Sequence, residues 1–181
     1  MKLKSIILLI FIPLVLMSCA KRTKVTKVID GDTIITNMGD VIRIIGIDAP
    51  ELDQHSEKFF NDVKIWHTTP NDEFSNANAS KRALEDKILN KRITLKTCPY
   101  FKHEKPHLYR VGRKLRYVYL GNEDISGFML SMGHARVWDF TFSPDVYFHK
   151  KNEEFRQLQN YAKKTNSGVW KNSVSVEKET N

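Results

Sequence analysis

A chain of 181 residues suits one domain plus a targeting segment. At 41% hydrophobic and 28% charged it holds enough apolar material for an ordinary core, which excludes a small scaffold dependent on disulfide or metal staples. The formal charge of +8 draws polyanions towards the surface, nucleic acid and anionic lipid alike, and does not choose between them.

The N-terminal residues differ from all that follow. Lys2 and Lys4 make a positive start, and Ile6 to Met17 is an apolar run of about a dozen residues. That is the length of a signal core and short of the roughly 20 residues a spanning helix needs. The run ends in Leu16-Met17-Ser18-Cys19, which resembles the lipobox of bacterial lipoproteins. The resemblance implies a signal peptide over 1–18, acylation of Cys19, a lipidated tether over 19–23, and anchoring on the extracytoplasmic side of a bacterial membrane. Loss of Lys2 and Lys4 with the signal leaves a charge of +6. With Cys19 acylated, Cys98 is the single remaining thiol and no intramolecular disulfide can form.

Along the mature chain, Lys21 to Lys27 alternates and predicts a first strand ending near Ile29. Asp30-Gly31-Asp32 is a turn signal. Thr33 to Thr36 and Val41 to Ile45 are short strands around a hairpin turn at Asn37-Met38-Gly39-Asp40. Leu52 to Asn78 shows no periodicity and reads as a long loop. Ser80 to Leu89 has helical spacing, with Ala83, Leu84 and Ile88 on one face. Ile93 to Thr97 and Leu115 to Leu120 are further strands. Asp124 to Met132 predicts a short helix with Asp124 as N-cap and Gly133 as its stop. Asp145 to Lys164 predicts a longer one with Phe148, Phe155, Leu158 and Ala162 inward. Residues 172–181 are polar and read as a flexible tail. The order fits an α+β domain, a small barrel with helices on its flank.

The informative stretches are Val28-Ile29-Asp30-Gly31-Asp32-Thr33 and Arg43-Ile44-Ile45-Gly46-Ile47-Asp48-Ala49-Pro50-Glu51. Carboxylates and an arginine stand at the ends of apolar strands. If Met38-Gly39 closes a two-residue hairpin, Ile34 faces Arg43, and Asp32 lies diagonal to Arg43 on the same face. Asp48, five residues beyond Arg43, needs a parity change to join them, which a bulge at Gly46 supplies. Phosphodiester hydrolysis requires such a set. A hard cation on carboxylate oxygens acts as a Lewis acid, a further carboxylate orients or deprotonates water, and arginines clamp the phosphate.

These motifs resemble the thermonuclease (staphylococcal nuclease-like) family, whose pattern runs V-x-D-G-D-T and then R-x-x-x-x-D-x-P-E. Weaker similarity covers Tyr109 to Tyr119, Gly133-His134-Ala135-Arg136-Val137 and Gly168-Val169-Trp170, so that the domain spans 24–171. The resemblance implies a five-stranded OB-type β-barrel with three flanking helices. It implies a monomeric, calcium-dependent endonuclease acting on DNA and RNA and leaving 3′-phosphate ends. Asp32 and Asp48 would bind Ca2+ through carboxylates and Ala49 through its backbone carbonyl, with Asp30 a neighbour and not a ligand. Glu51 would be the general base, and Arg43 and Arg113 would bind the scissile phosphate. Tyr109 and Val111 replace the family's acidic and aromatic residues before the second arginine, leaving Arg110 and Arg116 as alternatives to Arg113. Phe59, Phe60, Trp66 and Phe74 in the long segment either form a lip that stacks bases or pack on the barrel. Trp138, Phe140 and Phe142 carry the same two readings. The competing functions are a nucleic-acid-binding barrel without catalysis and a purely structural envelope lipoprotein. Neither explains why Asp32, Arg43, Asp48 and Glu51 are all present.

Overall fold

The computed structural model describes residues 21–97, 112–138 and 146–171. The expected signal segment, Cys19, Cys98, Tyr109 to Val111, Phe140, Phe142 and the tail from 172 lie outside these residues, as does the side chain of Phe148. Among them run strands β1 (Lys21–Val28), β2 (Thr33–Thr36), β3 (Val41–Ile44), β4 (Ile47–Asp48), β5 (Arg92–Lys96), β6 (Arg113–Leu120), β7 (Glu123–Asp124) and β8 (Arg136–Val137). The helices are α1 (Glu57–Ile65), α2 (Pro70–Ile88), α3 (Ile125–Ser131) and α4 (Val146–Lys164), followed by a 3-10 turn at Gly168–Trp170.

Five strands close into a barrel in the order β3-β2-β1-β5-β6, with β3 returning to β6. All neighbours are antiparallel except the closing pair, which is parallel with Arg43 opposite Leu115. Closure leaves the sheet no long free edge. Alternation dictates what fills it: Val25, Ile34, Ile42, Ile44, Ile93, Leu95, Leu115 and Tyr117 are buried, and Leu84, Ile88, Met129 and Phe155 cover the barrel from the helices. The small β4–β8 pair stands outside the barrel sheet.

β1 pairs with β5 from Lys21, opposite Leu95. Lys21 to Thr23, expected in the tether, therefore belong to the barrel wall. The larger correction concerns 52–78, which is mostly helical, so that among the described residues four α-helices accompany the barrel where three were expected. Ser56 caps α1 by accepting a hydrogen bond from the Phe59 amide at 3.1 Å. Thr69 caps α2 by accepting from the Asp72 amide at 3.1 Å, and Pro70 follows at the first helical position. The start of α2 shows no apolar stripe because its buried positions are Glu73, Ala77 and Ser80. α1 buries only Phe59 and Asp62. Of the aromatics, Phe59 is core, Trp66 packs edge-on against Trp170 at 6.1 Å, and Phe60 is exposed.

Asp40, just after the hairpin loop, binds Lys114 at 2.7 Å and Lys21 at 3.0 Å. Hydrogen bonds from Lys114, then Lys21, hold its carboxyl below the usual aspartate range. A depressed carboxylate stabilises the fold above its unfolded pKa, and that contribution is lost as the pH falls through the folded value. Asp40→Asn is therefore expected to lower stability at pH 7 by about 0.5–1 kcal/mol, both lysines being half exposed. The difference from the parent should close as urea titrations are moved below about pH 4.

Candidate active site

Asp32 ends the turn between β1 and β2, where its amide donates to Asp30 Oδ1 at 3.0 Å. Its carboxylate is buried, and each oxygen has a partner. Oδ2 accepts from the Ala49 amide at 2.8 Å, while Oδ1 accepts from Thr33 Oγ1 at 2.9 Å and meets Arg43 Nη1. Arg43 stands next to the last residue of β3 and turns its second nitrogen, Nη2, to Asp48 Oδ1 at 2.8 Å. One guanidinium thus bridges two aspartates separated by sixteen residues of chain.

The convergence is as expected, but the local geometry that produces it is different. Asn37, Met38 and Gly39 form a three-residue loop, with Gly39 at φ +76° and the Thr36 amide bonded to the Asp40 carbonyl at 3.0 Å. Thr33, not Ile34, therefore faces Arg43, one residue away from the two-residue closure. Nor does Gly46 form a bulge. At φ +86° it turns the chain out of the barrel, and β4 pairs with β8, Asp48 opposite Arg136. A Cβ on Gly46 would lie 2.4 Å from the Phe155 ring, so both backbone and packing demand glycine there. Ser126 of α3 fixes this turn by donating to the Ile45 carbonyl at 2.8 Å.

The three residues open onto a cleft of about 930 Å³, also lined by Glu51, Arg113, Asp30 and Trp138. Glu51 Oε1 accepts from the Asp53 amide at 3.1 Å. Arg113 begins β6 opposite Val41 and reaches the cleft, whereas Arg116 does not line it and donates to the Leu115 carbonyl. Arg110 lies outside the described residues. Trp138 lays its ring 5.4 Å from the Arg43 guanidinium carbon. Burial pulls Arg43 below its ordinary pKa, and the Asp48 carboxylate beside it opposes that pull. Burial likewise raises Asp30, against the charge of Arg43 and a hydrogen bond with Thr33.

One functional candidate escaped the sequence because it stands in the segment read as loop. Lys58 of α1 places Nζ 3.3 Å from Asp48 Oδ2 and 3.4 Å from the Ala49 carbonyl, and it also binds Asp62 one turn along the helix. Its caps, Ser56 and the polar first turn, are the signal that could have revealed it. Among the described residues no three histidine, cysteine or acidic side chains form a ready metal cluster. The donors nonetheless suit a hard cation: two carboxylates and a backbone carbonyl adjoin, and the Lys58 ammonium stands in for positive charge where Asp48 and Ala49 meet.

A closed five-stranded barrel with an acid–arginine cleft at the ends of its strands defines the OB-type class in its α+β form. Residues 41–172 match the family described as staphylococcal nuclease homologue, and the chain belongs to that family. It is 31% identical over 154 residues to a thermonuclease of Staphylococcus hyicus, covering 82% of this chain and 75% of that one. To a thermonuclease of Staphylococcus intermedius it is 29% identical over 153 residues, covering 81% and 74%. An uncharacterized protein of Methanocaldococcus jannaschii is 27% identical over 158 residues, covering 81% and 70%.

Proposed function

We infer that this chain is a nuclease that works as a calcium-dependent endonuclease on DNA and RNA, leaves 3′-phosphate ends, and is held by an acylated Cys19 to the extracytoplasmic face of a bacterial membrane. One observation carries the catalytic part: Arg43 joins Asp32 to Asp48 in a cleft that Glu51 and Arg113 also line. The name shared by the two staphylococcal relatives points the same way. The lipid part is supported by Leu16-Met17-Ser18-Cys19 alone.

Asp32, Asp48 and the Ala49 carbonyl would hold the ion, and calcium when bound supplies a Lewis acid for a phosphate oxygen. Glu51 would orient a water molecule and accept its proton, being on the cleft wall with Oε1 held by the Asp53 amide. Arg43 and Arg113 would bind the phosphate as its negative charge builds, with the Trp138 ring against the Arg43 guanidinium. The water oxygen would bond to phosphorus as the bond to the 5′ oxygen breaks, and that oxygen would leave with a proton drawn from solvent, so that the phosphate stays on the 3′ side.

The test is cleavage of plasmid DNA and of RNA by the full chain, with calcium or with a chelator. Cutting should require calcium and should fall by about 10²–10⁴-fold in Glu51→Gln. Equal cutting by Glu51→Gln would remove that residue's role. Binding of DNA without any cutting would leave a nucleic-acid-binding barrel instead.

A further inference from the structure

The geometry points to Lys58 as an internal counter-ion of the Asp48–Ala49 pocket, one that a divalent cation must displace in order to bind and that therefore sets the ion concentration at which the site fills. The inference rests on the proposed metal site and concerns how tightly that site holds its ion.

Asp48 Oδ2 and the Ala49 carbonyl are the two site oxygens that Arg43 and the Ala49 amide do not engage. Both face the same ammonium, at 3.3 and 3.4 Å. A cation held by these oxygens would share them with the ammonium that already faces both, and like charges so placed repel near a protein surface. Lys58 must swing aside, but it cannot go far. Asp62, one helical turn further, is buried, and Lys58 is its charge partner. Burial raises the Asp62 carboxyl above its ordinary range, against a hydrogen bond from Lys58 and then the Lys58 charge. An ammonium still tied to Asp62 stays near the bound ion. The site thus carries a resident positive charge through both states. α1, which Ser56 caps and Phe59 anchors in the core, holds that charge in place.

The experiment is calorimetric titration of calcium into the full-length protein, its Lys58→Met/Asp62→Asn double variant, and Asp48→Asn. Changing both partners avoids stranding a buried carboxylate. The double variant should bind calcium about tenfold more tightly than the parent, and Asp48→Asn should lose binding. Lys58→Gln/Asp62→Asn, polar at both positions, serves as a second probe should the first double variant fold poorly, and it too should bind more tightly. Lys58→Arg, which keeps the charge, should bind as the parent does. Unchanged or weaker binding by the neutral variants, with Asp48→Asn still defective, would overturn the role of Lys58 and leave the metal site standing. No calcium uptake by any form, or full uptake by Asp48→Asn, would overturn both.

Discussion

Arg136→Met is expected to destabilise the protein by about 3–5 kcal/mol, measured by urea unfolding at neutral pH. Arg136 makes a two-pronged contact with Glu73, Nη1 to Oε1 and Nη2 to Oε2 both at 3.0 Å, and both side chains are almost wholly buried. Trp66 covers the guanidinium, its ring 4.6 Å away. Truncating the arginine leaves Glu73 ionised with no counter-charge, and its desolvation is then uncompensated. The cost should be recovered largely by the double change Glu73→Leu/Arg136→Met, because replacing a whole buried ion pair with apolar side chains is often neutral. A single variant costing under about 1 kcal/mol would show that the pair is better solvated than its geometry indicates. The consequence reaches the cleft, since Arg136 pairs in β8 with Asp48 in β4. The single variant should therefore also lose nuclease activity well below its unfolding midpoint.

Arg43→Lys is expected to lower kcat by roughly 10³-fold or more, the scale seen when a phosphate-binding arginine is lost. Charge alone does not reproduce what Arg43 does. Its two terminal nitrogens reach Asp32 and Asp48 separately, and Nη2 also lies 3.4 Å from the Ile47 carbonyl, a fork that one ammonium cannot span. The loss should fall mainly on kcat and less on KM if the arginine meets charge that builds as the phosphate reacts. An equal kcat with a raised KM would assign it to ground-state binding only.

The barrel is legible in the sequence wherever one face of a strand is apolar. Ile42 and Ile44 flank Arg43, and Leu115 and Tyr117 flank Arg116, so those strand positions follow from the pattern, whereas Val28 comes three residues after Val25 across an irregularity in β1. The core of the site is legible for a chemical reason: Asp32, Arg43, Asp48 and Glu51 cluster at strand ends, where side chains of distant segments meet. The start of α2 is not legible, because what it buries is a glutamate, an alanine and a serine, and an ion pair to Arg136 replaces the apolar stripe. The same gap hides Lys58, whose meaning depends on a helix turning it back over Asp48. The hairpin register depends on the conformation of Gly39, a single φ that composition does not specify.

β1 takes its place in the wall from Lys21 onward. Should Cys19 bear fatty chains, one intervening residue, Ala20, would separate lipid from barrel, a reach of under about 10 Å at full extension. The enzyme would then ride on the bilayer like a limpet, with little freedom to sample the surrounding fluid. Its working zone would be a thin shell against the envelope, and polymer chains would have to come to the cell to be cut.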